Sequence, residues 1–579
     1  MVLVTTAINN PSKLDDDILL LGAWCDKDSL EKKHHKLVNM TANYHWSNRD
    51  KFFNDHITII NLYEKLLPQY AESLNILHNV SYSKSSWQII IGPWLMFFIS
   101  ALFDRWSSIN KAIEEEAFDY VALSETQKEK LIPIDMGDYY KKSGEDIWNN
   151  YIFTEIIENW TVLKFKKFPL INIVKKTNFT SFKSIIKELI SKFYNKLSYF
   201  SLNNKVIFVD SYMPIFWQWR LEKLLKQRPS KFFFCTKSNL NDKIIDRNNM
   251  QIKYKPQNDL EAFIISIVPF QMPQTYIEKF ESLLINSRSN MYPNSPKIIF
   301  TANAHFFNDQ FKVWSAFHKE KGAKLIFSQH GGGLGSMKVV LSEYLEKSMA
   351  DIYISWGWSD VNFSNIKQLP AVKLFKKRKH RPKKGLLHVM DDNSRYARAI
   401  ATTPISSLHL DYLKDQFNFS NLISHELISN YVVRKSPNNY NWNKLEDWNP
   451  NVIFDSNKHF FKSMYEFKLI VITSNSTTLL QVLSANLPTV IFWNIKYNEL
   501  RDDAQIDFDN LRNVGILFDS SEEAAKHINL TWNNISAWWE AKELQRVRLD
   551  FCNKYALTSN DSLFEWKSYL QECIVDNNI

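Results

Sequence analysis

Glycine is scarce in this chain, 12 residues among 579, and cysteine is scarcer, at four. The cysteines, Cys25, Cys235, Cys552 and Cys573, stand far apart and make no CxxC or Cys/His ligand spacing. That excludes a disulfide framework and a structural zinc site, and it points to a reducing, cytoplasmic compartment. No uninterrupted apolar run reaches the roughly 18 residues that suggest a membrane helix. The longest, Ile89 to Phe103, contains Gly92 and Pro93 and reads as a buried helix. The opening residues, MVLVTTAINNPSKLDDD, show no basic segment followed by an apolar one, so no signal peptide is expected. RNP-like, zinc-finger and helix-turn-helix patterns are missing, which argues against nucleic acid as a partner. A metal-binding DxD motif is missing too, because Asp15-Asp16-Asp17 lies in a loop ahead of the first apolar strand, and no metal or other cofactor is expected. The net charge of +9 is modest, but part of it is gathered in Lys373 to Lys384, KLFKKRKHRPKK. Such a run is a solvated linker or a contact for anionic membrane lipid.

What is present is a globular composition, 45% hydrophobic and 14% aromatic, with 19 tryptophans that serve mainly core packing and leave a few to stack on a sugar or base. The length calls for two domains or more. Residues 1 to about 200 begin with a strand, Ile18 to Trp24, and then read as mainly helical, with apolar residues at i, i+3 and i+4 through Ile57 to Leu77 and Ser181 to Leu197. Strand-like runs return at Lys205 to Val209, Lys231 to Phe234 and Ala262 to Ile267. Lys297 to Thr301, a helix over Asp309 to Lys321, Leu325 to Ser328, a helix over Met337 to Lys347 and Asp351 to Ser355 then form a βαβαβ series, the mark of a parallel sheet. After a polar, basic break the alternation restarts at Gly385 to Met390 and continues through Tyr431 to Val433, Leu469 to Thr473, Thr489 to Trp493 and Gly515 to Phe518. The expected division is an α/β domain over 1–365 with a helical insertion at about 30–200, a basic linker over 366–384, a second α/β domain over 385–530 and helices over 531–579. Two such α/β units leave a cleft between the carboxyl ends of their strands, where open parallel sheets bind ligands.

Two turns stand at such strand ends. Ser328-Gln329-His330 runs into Gly331-Gly332-Gly333, a quarter of all the glycines, ahead of a helical pattern. A glycine turn opening a helix offers backbone N–H groups to an anion, and His330 beside it is placed to exchange a proton. The alternative is a tight turn with a hydrogen-bonded histidine. The second turn, Ser474-Asn475-Ser476-Thr477-Thr478, sets hydroxyls where the first has glycine, as a phosphate grip and as a helix cap. Asp391 and Asp392 follow the first strand of the second unit, positions suited to a base, a nucleophile or a ligand for donor hydroxyls, and equally to an Asx turn. Arg395 and Arg398 come next, and Arg434 ends a strand where a guanidinium grips pyrophosphate or carboxylate. Glu343 and Glu346 share a helix face that is solvated by default, with Glu343 also a candidate on the acceptor side. His45 and Arg49 in YHWSNR, and Asp104 and Arg105 in FDRW, set charges among aromatics, where they pair with each other or contact acceptor.

These residues together resemble a known family. Leu21 to Cys25, Tyr44-His45-Trp46, Leu74 to His78, Gly92 to Leu95, Asp104-Arg105-Trp106, Gln329 to Gly332, Trp356-Gly357-Trp358, Arg395-Tyr396 and the Ser-Asn-Ser-Thr-Thr turn resemble transferases encoded in bacterial O-antigen and surface-polysaccharide gene clusters, over Thr5 to Trp566. The order of a His-Gly turn, a linker, an arginine-ended strand and a hydroxyl turn also resembles GT-B glycosyltransferases and CDP-glycerol-type polymerases. The resemblance implies a GT-B-like α/β fold of two facing Rossmann-like domains, with a largely helical N-terminal elaboration and a helical C-terminal tail. It implies His330 as base or acid and Ser474, Ser476, Thr477 and Thr478 as phosphate ligands. Gln481 stands where such folds often carry a glutamate, so a ribose contact survives but a carboxylate role does not. Arg434-Lys435-Ser436-Pro437 replaces the usual arginine-histidine-proline ending. The expected function is metal-independent sugar transfer from a nucleotide-sugar donor, favoured as a CMP-linked ulosonic acid, to a glycan or lipid-linked acceptor, at the inner face of the plasma membrane. The rivals are transfer of a polyol phosphate from a CDP donor and a catalytically silent scaffold.

Overall fold

The computed structural model describes residues 1–9, 17–25, 38–169, 199–234, 243–289, 292–374, 380–428, 430–438, 440, 442, 452–457 and 459–576. Its strands fall into three sheets, all of them parallel. The first joins Val2–Val4 (β1), Ile18–Leu20 (β2), Val38–Thr41 (β3), Tyr120–Ser124 (β4) and Phe165–Phe168 (β5) in the order β3-β2-β1-β4-β5. The second joins Val206–Val209 (β6), Ile298–Thr301 (β7), Lys324–Ser328 (β8), Ile352–Ser355 (β9) and Ile366–Gln368 (β10) in sequential order. Lys384–Val389 (β11), Tyr431–Arg434 (β12), Ile453–Phe454 (β13), Phe467–Ile472 (β14), Thr489–Phe492 (β15) and Leu517–Phe518 (β16) build the third, ordered β13-β12-β11-β14-β15-β16. Strands such as VIFV, IIFT and LIVI are apolar almost throughout because helices cover both faces of such sheets.

The second and third sheets are the two facing units that the alternation of strand and helix predicts. The first adds a parallel sheet in the stretch expected to run mainly helical. Its strands are three to five residues long, too short to carry much periodic signal. Two of these helices, Arg49–His78 and Lys84–Glu115, pack against each other. Lys84–Glu115 contains the apolar run noted above; among the described residues it is the one helix long and apolar enough to cross a membrane, and its apolar window is buried inside the protein.

Other expectations change. Ala262 to Ile267 lies inside a helix, Asp259–Gln271, whose N-cap Asn258 accepts the Glu261 N–H; that capping signal outweighs the β-branched run. Lys231 to Phe234 forms no strand. The helix expected from Met337 begins at Leu341. Ser181 to Leu197 lies outside the described residues. At the carboxyl end the chain crosses back: Leu563, Trp566 and Leu570 of the Ser562–Asp576 helix pack on Val206, Phe208, Ile298 and Phe300 of the second sheet, tying the tail to a unit it does not follow in sequence.

Candidate functional site

The third sheet has the doubly wound strand order, and its direction of growth reverses between β11 and β14. Ligands of open α/β sheets bind in the crevice outside the carboxyl ends of the strands at such a switch point. Asp391 and Asp392 follow β11, and Ser474 to Thr478 follow β14, so sequence positions about 80 apart meet there. Tyr412 fixes them: its hydroxyl accepts the Asp391 N–H at 2.6 Å and bonds Thr473 Oγ1 at 2.8 Å, while Thr473 donates to Val389 O across the strand pair. Burial raises Asp391 above the usual carboxylate range, opposed by the Asp392 N–H and the Ser474 hydroxyl. Burial pushes Asp392 up to about 6, opposed by the Tyr440 N–H and reinforced by Asp391. Ser476 caps the Thr477–Ser484 helix without a side-chain bond to its amides; its hydroxyl bonds Thr478 Oγ1 at 2.7 Å instead. The first amides of that helix are thereby left for a ligand to satisfy. Gln481, half-buried, lies one turn further along.

The corresponding reversal in the first sheet, between β1 and β4, is filled from within. Asn9 donates to Thr5 Oγ1 and Ala122 O and accepts from the Ser124 hydroxyl. The second sheet, being sequential, has no reversal at all.

The glycine turn follows β8 and meets the hydroxyl turn directly. Gly332 N–H donates to Thr477 Oγ1 at 3.0 Å, and a Cβ at Gly332 would lie 2.2 Å from the Ser476 carbonyl carbon. Glycine is required here because two backbones from different units touch. Past Gly333 and Gly335, both with positive φ, the chain stays extended: Met337 pairs antiparallel with Leu500 and Val340 with Ala401. The expectation that this turn opens a helix is therefore corrected. The extended pairing delays the helix to Leu341, and Thr477 uses the Gly332 amide. Gln329 braces the turn, its amide donating to Gly331 O while its oxygen accepts from the Trp356 backbone and the Trp358 indole. Gly331 lies 3.2 Å from Thr477 Oγ1 by its would-be Cβ, and Asn475 donates to Ser336, a second tie between the units.

His330 keeps a quarter of its side chain exposed, and its Nδ1 is buried 3.3 Å from Glu346 Oε1. The same Oε1 lies 3.4 Å from Nε2 of His305, a histidine just past β7 that is wholly buried and stacked on Phe327. Burial pushes His330 down to about 4, with Lys373 adding to the effect, and holds His305 well below the usual histidine range. Glu346 is held well above the carboxylate range by its burial, opposed by the nearby Tyr353 hydroxyl. The Lys373 ammonium donates to His330 O and lies over the Tyr212 ring, so it belongs to the site and not to a solvated linker. Lys384 at the other end of the basic run pairs with Glu466; residues 375–379 lie outside the described residues. Tyr212, past β6, packs edge-on against His330, and both it and Asp210 hold positive φ, a strained geometry that collects at functional sites. A cavity of about 280 Å³ opens at the same sheet end, lined by Asp210, Phe234, Asn303, Ala304, Phe307 and Asn308.

Several expected ligands are engaged elsewhere. Arg395 donates to Trp24 O and pairs with Asp146 of the first unit at 2.6 Å, while Tyr396 donates to the other oxygen of Asp146. Arg434 turns to Asp455 and Asn457 O. Asp104 accepts from Tyr44 and Arg105 and bonds His45 at 3.1 Å; Arg105 also reaches Asn149 and Ala397 O. Arg49 forms a two-pronged pair with Glu499 over the Phe52 ring. Glu343, far from solvated, accepts the Gly335 N–H and pairs with Lys347. Low-dielectric burial requires such pairing, and it makes His45, Arg49, Asp104, Arg105, Arg395 and Glu343 braces between elements. Sequence reasoning passed over His305, although it follows a strand end as His330 does, and gave no role to Arg398. The Arg398 guanidinium lies over the Tyr140 ring at 4.1 Å and donates to Tyr440 OH, its Nε is buried without a partner, and it has no ion pair among the described residues. The Tyr440 N–H is the one that Asp392 accepts.

A sequence model of the LIC12162 family transferases matches residues 1–570, and the chain belongs to that family. No curated protein matches it. Among solved structures, MurG of Acinetobacter baumannii aligns with 63% of this chain and 99% of its own at 9% identity and a TM-score of 0.32. WaaG, a glycosyltransferase involved in lipopolysaccharide biosynthesis, aligns over the same shares at 12% identity and 0.27. An Escherichia coli structure described as trehalose-6-phosphate bound with UDP-2-fluoro glucose aligns with 51% of this chain and 77% of its own, at 8% and 0.29. TM-scores this far below 0.5 do not establish a shared fold; the facing parallel units are read from the chain itself.

Proposed function

From membership in a transferase family and from the two facing units, we propose that the chain is a GT-B-type glycosyltransferase of surface-polysaccharide biosynthesis. It moves a sugar from a nucleotide-activated donor to a glycan or lipid-linked acceptor, in the cytoplasm at the inner face of the membrane. One observation carries the reading: the bond from Gly332 to Thr477 joins the carboxyl ends of both sheets, setting His330 and its neighbouring cavity opposite the Asp391 and hydroxyl-turn crevice. The crevice at the switch point takes the donor, with Ser474, Ser476, Thr478 and the helix amides on phosphate and Asp391 and Asp392 on sugar or ribose hydroxyls. The cavity past β6 and β7 takes the acceptor. His330, on the acceptor side and neutral at pH 7, removes the acceptor proton as the oxygen attacks the anomeric carbon. The bond from that carbon to the phosphate oxygen breaks, and the hydroxyls and helix N-terminus stabilise the departing charge.

A CMP-linked ulosonic acid is the donor this reading favours. It carries one phosphate and one carboxylate. Arg434, the cation a diphosphate would call on, is held by Asp455, whereas Arg398 has no carboxylate partner among the described residues and is suited to an anionic sugar. Incubation with CMP-, CDP-, UDP-, GDP- and TDP-activated donors and a glycan acceptor, followed by mass and phosphorus analysis, tests this. The expected outcome is release of CMP and a phosphorus-free glycosidic product. Phosphorus in the linkage would mean polyol-phosphate transfer, and absence of turnover with every donor would leave a binding scaffold.

A further inference from the structure

Glu346 was expected on a solvated helix face, yet it is fully buried, and none of its oxygens meets a hydrogen-bond geometry in the structure. Two imidazoles approach the same oxygen: His330 Nδ1 at 3.3 Å and His305 Nε2 at 3.4 Å. Both ring nitrogens of His305 and the Nδ1 of His330 also lack partners. The Tyr353 hydroxyl also faces Glu346, and a buried polar set of this kind is costly unless its members bond one another. Hydrogen bonds of catalytic groups are often long before substrate arrives.

We infer that Glu346 is a positioning residue for His330: its Oε1 accepts the Nδ1–H of His330 and the Nε2–H of His305 together, so that His330 is held in the Nδ1–H tautomer with its Nε2 lone pair free. The inference rests on the reading of His330 as the acceptor's base. It supplies what that role lacks, since a neutral imidazole accepts a proton only at its bare nitrogen. Oε1 serves as acceptor whether Glu346 is ionised or carries a proton on Oε2, so the arrangement does not depend on its charge. When the acceptor hydroxyl gives its proton to Nε2 the ring becomes an imidazolium, and the same bond to Glu346 shortens and strengthens. His305 occupies the other approach to Oε1 and keeps the carboxyl from rotating away. The charged and titratable groups around this set are Glu343 and Lys347 on the Glu346 helix, Tyr353 from β9, Lys312 acting on His305, and Lys373 at the His330 carbonyl.

The test is the tautomer itself, read by nitrogen-15 NMR of histidine-labelled full-length protein at pH 7, with His330 assigned from the signal missing in His330→Asn. The expected result is Nδ1–H in the wild type and in Glu346→Gln, whose amide oxygen replaces Oε1, and a shift to Nε2–H or a mixture in Glu346→Met. Wild-type His330 as Nε2–H, or an unchanged Nδ1–H in Glu346→Met, would overturn the inference. Should Glu346→Met not fold, the wild type and Glu346→Gln still decide it. Where turnover is measured, Glu346→Met should lower kcat by about 10²- to 10⁴-fold with KM little changed, and Glu346→Gln should restore most of it. The NMR arm needs no substrate, so failure to find any donor would remove the proposed function without touching the tautomer.

Discussion

His330, Asp391 and Asp392 are the candidates for the base, and the surroundings of His330 and Asp392 separate these two by pH. Burial sets His330 at about 4 and Asp392 at about 6. A base works only when deprotonated, so activity is lost as pH falls through its value. With His330 as base, kcat/KM should hold from pH 7 down to about 5 and fall near 4. An acid limb centred near 6 would instead assign the proton to Asp392. His330, the aspartates and the hydroxyl turn were legible in the sequence because each follows a strand end, a position read from local pattern alone. The partners of the charged residues were not. Arg395 meets Asp146 across 249 positions and Arg49 meets Glu499 across 450, separations at which no spacing rule operates. His305 was missed and Glu346 read as solvated for the same reason, since their meeting depends on how one helix packs beneath two strand ends.

At the scale of elements, the two turns act on each other before they act on a ligand. Thr477→Val keeps the shape of the side chain but leaves the Gly332 N–H without its acceptor; stability in urea should fall by about 1 to 3 kcal/mol. Gly332→Ala places a methyl against the Ser476 backbone, which cannot move as a side-chain tip would, and overpacking of this kind costs about 1 to 3 kcal/mol or more. Unchanged unfolding midpoints for both variants would mean the turns do not touch in solution. Most strands of the second and third sheets were readable because turn residues bound them in an alternation with helices; Ile366–Gln368 and Ile453–Phe454, which follow another strand with no helix between them among the described residues, were not. Of the first sheet only Ile18–Leu20 was readable, inside the run Ile18 to Trp24, since strands as short as Val2–Val4 resemble any short apolar run. The helix at Asp259–Gln271 was misread on the same ground, because Ala262 to Ile267 fits either period and only the Asn258 cap decides.

The whole molecule is three parallel sheets locked around one junction by buried pairs that cross between units. Arg395→Met should remove the Asp146 pair and lower stability by about 3 to 5 kcal/mol, the usual cost of breaking a buried ion pair, while the activity of the folded fraction stays near wild type. Loss of nucleotide affinity without loss of stability would return Arg395 to the phosphate site. The central claim is that the crevice between β11 and β14 holds a nucleotide-activated donor. Calorimetric titration of CMP in the presence of EDTA, against the wild type and Ser476→Ala, tests it most directly. The account predicts metal-free binding of CMP, stronger than that of UDP or GDP, weakened about 10-fold or more in Ser476→Ala as a hydrogen bond to a charged group is lost. Preference for UDP or GDP would reject the CMP donor, and nucleotide binding unchanged by Ser476→Ala, or none at all, would contradict the site.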